Sequence, residues 1–147
     1  MTALEELLAV MATLRDPERG CPWDREQDFR SIVPHTLEEA YEVADAMERG
    51  DRSAMRDELG DLLFQVVFYA QIAREEGSFD FEAIARGVVD KLIRRHPHVF
   101  GERRETSAAS QRATWEAIKA EERAARTDGD QAPSALDDVP LGLPALT

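Results

Sequence analysis

A single cysteine, Cys21, stands in 147 residues, so no internal disulfide can form and no multi-cysteine zinc site can be built. Basic residues are in deficit as well: 18 Lys and Arg face 30 Asp and Glu, for a formal net charge of -12. That imbalance disfavours long-range attraction to DNA, RNA or anionic lipid, and a phosphate-bearing ligand would need a local cation. Long hydrophobic runs are missing too. The most apolar stretch, residues 59 to 73, is interrupted by Gly60, Asp61, Gln65 and Gln71 and falls short of a membrane span. The opening residues "MTALEELLAVMATLRD" carry early glutamates and a helical apolar pattern, so they do not read as a signal peptide and the default expectation is a cytoplasmic protein.

What is present suffices for one core. Apolar residues make up 43% and charged residues 33%, a globular balance that excludes wholesale disorder. Residues 2 to 15 place Leu4, Leu7, Leu8, Met11 and Leu14 at helical spacing, with Thr2 and Glu5 in the capping-box relation. "DPERGCPWD", residues 16 to 24, reads as a loop that carries Trp23. A second helix is expected over about 36 to 49, ended by Gly50, and a third over about 53 to 76, ended by Gly77. A fourth covers 80 to 95 and stops before Pro97; a fifth covers about 108 to 126, with Trp115 and Ile118 as anchors. The Pro-, Gly- and Asp-rich end from Thr127 reads as a tail or linker, which leaves an all-α body over 1–126 and a flexible segment over 127–147.

Acids sit where this pattern calls for apolar side chains. In "LEEAYEV" Glu38 and Glu42 are one helical turn apart, with Glu39 three residues before Glu42. Leu37, Ala40, Tyr41, Ala44 and Met47 take the other side, so on this helix by itself the acids are equally compatible with a solvated face, and Thr36 with Glu39 has capping-box spacing. The next helix shifts the balance. Glu58 and Asp61 head a run that is apolar nearly all round, on a stripe continued by Gln65, Phe68, Tyr69 and Ile72, so they are expected to look into packed protein or a cavity. Buried, clustered carboxylates need a positive partner. The all-oxygen set Glu39, Glu42, Glu58 and Asp61 suits Mg²⁺, with Mn²⁺ as the alternative ion, and cations for a phosphate tail are offered by Lys91, Arg94 and Arg95 in "KLIRRHPHVF". A basic helix end that complements the helix dipole accounts for the same three residues without a ligand.

Together "GCPWDREQ", "LEEAYEV", "ELGDLLFQVVFYAQ" and "KLIRRHPHVFG" resemble the MazG family of nucleoside triphosphate pyrophosphohydrolases over nearly the whole chain. The family signature, E-x-x-E followed after a spacer by E-x-x-D, is met by Glu39, Glu42, Glu58 and Asp61. The resemblance implies an all-α bundle completed by dimerisation, as a homodimer or higher homo-oligomer, with Mg²⁺ held by those four acids. It further implies cleavage of nucleoside triphosphates to monophosphate and pyrophosphate, with Lys91, Arg94 and Arg95 on the phosphates. Glu38 is the candidate general base. Trp23 and Trp115 are each either a stacking surface for a base or a packing anchor, and His35, His96 and His98 are expected to be structural. The match is to the N-terminal domain of two-copy members, and "SALDDVPLGLPAL" is similar to the connection before a second copy, so either a single-domain version or a truncated chain is expected. The competing expectation is a helical module that binds nucleotide weakly or dimerises.

Overall fold

The computed structural model describes residues 1–101 and 107–126, and among them helices are the only regular elements. The order is α1 (Ala3–Leu14), α2 (Pro22–Glu26), α3 (Phe29–Arg49), α4 (Arg52–Glu76), α5 (Phe81–Arg95), α6 (Pro97–Phe100) and α7 (Ala108–Arg126). The chain divides into two compact units, Met1–Arg86 and Gly87–Thr147. The expected tail over 127–147 lies outside the described residues. None of the helices described is long and apolar enough to cross a membrane.

In the first unit α4 packs against both α3 and α1. Met11 from α1, Ile32 from α3 and Val67, Phe68 and Ile72 from α4 form the buried core, with Leu7, Leu14, Phe29, Phe64, Tyr69 and Phe81 packed on it. The helix ends follow the predicted chemistry. Thr2 and Glu5 close their capping box, and Gly50 and Gly77 take left-handed φ values of 69° and 78° that cost glycine least.

Three expectations are corrected. The second predicted helix, α3, begins at Phe29 instead of near residue 36, because Asp28 and Ser31 form the capping box that starts it. Thr36 is therefore mid-helix, and the Thr36–Glu39 box does not form. Pro34 lies inside α3, where its exposed position lets water serve the Arg30 carbonyl left without an amide donor. The segment read as a loop and the connection between the fourth and fifth predicted helices each contain a short helix, Pro22–Glu26 and Pro97–Phe100, each started by a proline whose missing N–H is no loss in a first turn.

The third correction concerns the faces of α3. Its apolar side is not the inner one: Tyr41 is 58% and Met47 41% exposed. Ile32 and Ala46 are buried, and Glu39, Glu42 and Val43 are half-buried, so the acids share the inward stripe. On α4 the buried stretch begins at Gln65, while Leu59 and Leu63 stay 46% and 41% exposed.

Candidate functional site

Because α3 and α4 pack side by side, the half-buried Glu39 and Glu42 of one meet the half-buried Glu58 of the other, whereas Asp61, expected to look into packed protein or a cavity, is exposed to solvent. Glu39, Glu58 and Asp61 each offer a carboxylate oxygen, and these oxygens lie within 4.8 Å of one another. Oε2 of Glu39 and Oε2 of Glu58 are buried with no hydrogen-bond partner. Burial pushes the Glu58 carboxyl up to about 7, helped by a carboxyl–carboxyl hydrogen bond and the charge of Glu42, then by Glu39 and Asp61. Glu39 is raised as well, first by burial and then by the charges of Glu42 and Asp61. Like charges crowded at this range cannot all stay ionised without a cation. The oxygens left over, all hard donors, fit Mg²⁺ or Mn²⁺ and offer nothing that zinc prefers.

Of the predicted site residues, the structure thus brings Glu39, Glu58 and Asp61 together, with Glu42 touching Glu58. Glu38 is exposed on α3 next to Glu39, whose carboxyl it raises slightly. Trp23, 48% exposed, joins Glu39 and Asp61 in lining a cavity of about 290 Å³ whose wall also includes His35, Phe64 and Gln65. Its indole stands edge-on to His35, with ring centroids 5.5 Å apart, and to Phe68 at 6.4 Å.

The predicted cations belong to the second unit. Arg95 Nη2 donates to Glu122 Oε1 at 2.8 Å and Arg94 Nε to Glu122 Oε2 at 3.1 Å, which holds the Glu122 carboxyl down at about 2. Lys91 is exposed. Trp115 is packed by His96, at a centroid distance of 4.9 Å, and by the Arg95 guanidinium at 6.0 Å. His96 Nδ1 lies 2.6 Å from the Leu92 carbonyl, a structural contact, whereas His98 Nδ1 is buried without a partner.

Sequence reasoning missed Arg15. Its guanidinium grips Glu75 through Nε and Nη2, both at 2.8 Å, and donates from Nη1 to the carbonyls of Asp24 and Gln27. It thereby fixes the segment that carries Trp23, and no local pattern marks a contact sixty residues long in sequence. Also unforeseen is a polar knot on the cavity side of α4. The Thr36 hydroxyl reaches Gln65 Oε1 at 3.1 Å and the Tyr69 hydroxyl at 2.6 Å. Gln65 and Tyr69 were on the predicted stripe, but their partner Thr36 had been read as a cap.

Comparison with known proteins places the chain among relatives. The model of the MazG nucleotide pyrophosphohydrolase domain matches residues 27–100. A nucleoside triphosphate pyrophosphohydrolase of Escherichia coli strain K12 is 56% identical over 146 residues, covering 99% of this chain and 54% of the relative. The nucleoside triphosphate pyrophosphohydrolase/pyrophosphatase MazG of Thermotoga maritima is 45% identical, covering 97% of this chain and 52% of that protein. The chain thus spans about half the length of these curated relatives. Among solved structures, a mazG-related protein from Thermotoga maritima superposes with a TM-score of 0.63 at 28% identity, covering 78% of this chain and 97% of that one. With half of its length matched by the domain model and four signature acids facing one another across two helices, this chain belongs to the MazG nucleotide pyrophosphohydrolase family.

Proposed function

We propose that the chain hydrolyses nucleoside triphosphates to nucleoside monophosphate and pyrophosphate in a Mg²⁺-dependent reaction, with broad range, as nucleotide-pool housekeeping. The observation that carries this reading is the pair of buried, unpartnered oxygens on Glu39 and Glu58 beside Asp61, a concentration of negative charge that either a proton or a cation must relieve. In the proposal Glu39, Glu42, Glu58 and Asp61 hold the ion. When bound, Mg²⁺ would supply charge neutralisation on the polyphosphate and a more acidic water.

The remaining work falls to side chains. Water adds to the α-phosphorus, the α–β anhydride P–O bond breaks, and pyrophosphate leaves. Glu38, exposed and next to the cluster, takes the proton of the attacking water. Trp23 faces the base from the cavity wall. Lys91, Arg94 and Arg95 hold the phosphate tail, and for the two arginines this requires exchanging Glu122 for phosphate oxygens. A homodimer belongs to the same proposal, supported by the exposed Tyr41, Met47, Leu59 and Leu63, which a second copy would cover. So do a catalytic domain over 1–126, a tail or linker over 127–147 and a cytoplasmic setting, the last consistent with a lone thiol.

Incubation with mixed triphosphates and Mg²⁺ tests the reading. Stoichiometric monophosphate and pyrophosphate, without orthophosphate and lost on chelation, is the expected result. The exposed apolar side of α3 favours a second reading, a dimerising helical module that binds nucleotide weakly. Intact self-association without turnover would support it.

A further inference from the structure

Gln65 is 7% exposed, lines the cavity that holds Trp23, Glu39 and Asp61, and is polar where its neighbours Phe64 and Phe68 are not. A buried carboxamide ordinarily satisfies both ends. Here only one end is engaged within the protein. Oε1 accepts from the Thr36 hydroxyl at 3.1 Å, and that hydroxyl is in turn 2.6 Å from Tyr69 Oη. With Tyr69 donating to Thr36, the single Thr36 proton is shared between Gln65 Oε1 and the Ile32 carbonyl at 3.2 Å, and no hydrogen bond of the Nε2 amide is formed among the described residues, while Gln65 lines the cavity. Nε2 is not among the buried atoms left without a partner, so water in the cavity serves it, and a ligand carbonyl can take the place of that water.

We propose that Gln65 is a specificity-determining residue that reads the nucleobase, its Nε2 donating to a carbonyl oxygen on the ring edge away from the sugar. The inference rests on the reading of the acids as a triphosphate site. The cavity is lined by aromatic rings as well as by Glu39 and Asp61, so a ligand with its phosphates at the acids can rest its ring against Trp23, Phe64 and Gln65. Once seated, a keto edge accepts from Nε2. An amino edge sets donor against donor, and both groups lose water without a partner. The opposite amide orientation would present Oε1 and favour the amino edge, the outcome that contradicts this assignment.

The test uses two matched pairs, UTP against CTP and ITP against ATP, each differing chiefly in keto against amino at one ring carbon. With Mg²⁺ present, wild-type kcat/KM is expected to favour the keto member of each pair by about tenfold, the size of one neutral hydrogen bond. Gln65→Met, close in shape but without donors, should bring both ratios to within about twofold, mainly through KM for the keto substrate. Thr36→Val, which touches no ligand in this arrangement, should lower the ratios while the Mg²⁺-induced rise in melting temperature stays unchanged. Equal kcat/KM within the pairs, a preference for the amino members, or ratios unmoved in Gln65→Met overturns the role of Gln65 and leaves the proposed reaction standing. Failure to turn over or bind any of the four triphosphates with Mg²⁺ overturns the proposed reaction itself, and this inference with it.

Discussion

The two ends of α4 treat the same side chain in opposite ways. Near its start Glu58 meets Glu39, Glu42 and Asp61, and its carboxyl rises to about 7. Near its end Glu75 meets Arg15, whose bidentate hydrogen bonds hold the carboxyl below its usual range. Helix dipoles would order them the other way, since an acid is favoured toward the N-terminus and opposed at the C-terminus. Specific partners outweigh the dipole at both ends. The Glu75 end is electrostatically complete within the chain; the Glu58 end is incomplete and waits for a charge from outside. Need for a ligand, more than acidity as such, distinguishes a site from a structural ion pair.

Removing charge from the incomplete end should have the largest effect. Glu58→Gln or Glu42→Gln is expected to lower pyrophosphate release by about 10²–10³-fold, the usual scale for losing one group that stabilises transition-state charge, while far-ultraviolet circular dichroism stays near wild type. Turnover at the wild-type rate in either variant would mean that the crowded acids are not the site. Breaking the complete end should do the reverse. Arg15→Ala removes both of its hydrogen bonds to Glu75 and its donation to the carbonyls of Asp24 and Gln27, and about 2 kcal/mol of stability should be lost in urea unfolding. A loss of activity without that loss of stability would erase the distinction between the two ends.

How much of this contrast could be read in advance follows from its range in sequence. Four helix spans and the Gly50 and Gly77 caps were legible because periodicity and glycine preference are local. So was the acid quartet, since i, i+3 spacing needs only the helix itself. The start of α3 was not, because Pro34 imitates a boundary and the Asp28–Ser31 box lies seven or more residues from the acids it positions. Which side of α3 faces α4 was not legible either: Tyr41 and Met47 look like core in isolation, and only packing shows Glu39 and Glu42 turned inward. Arg15, Gln65 and Thr36 act across long sequence separations, which no window of neighbouring residues reports.

The pH dependence separates the ends without mutation. Glu58 binds a proton more tightly folded, at about 7, than at its ordinary value of 4.5. Its contribution to metal-free stability is therefore fully present below about 4.5 and is lost as pH rises through about 7. Melting in a chelator should show a midpoint that falls over that interval, and Glu58→Gln should flatten the slope. Saturating Mg²⁺ should flatten it too and raise the midpoint at pH 8, by about 3 kcal/mol of stabilisation at a hundredfold excess over Kd. A metal-free midpoint indifferent to pH between 5 and 7 would place the Glu58 end with the completed one.

The smallest expected effect extends the contrast to the second unit, where Glu122 lies between Arg94 and Arg95 and its carboxyl sits at about 2. This is a depressed group, so its stabilisation is present above the ordinary value of 4.5 and is lost as pH falls toward about 2. Glu122→Gln should lower the melting midpoint at pH 7 by about 3 °C, the modest scale of partly exposed ion pairs, and should remove the acid-dependent loss between those limits. The variant also tests the phosphate role of its partners. Freed from Glu122, Arg94 and Arg95 would no longer need to exchange a carboxylate for a polyphosphate, so KM for triphosphate should fall in the same protein that has become less stable. A KM that rises along with the loss of stability would mean that Glu122 orders the arginines for binding instead of competing for them.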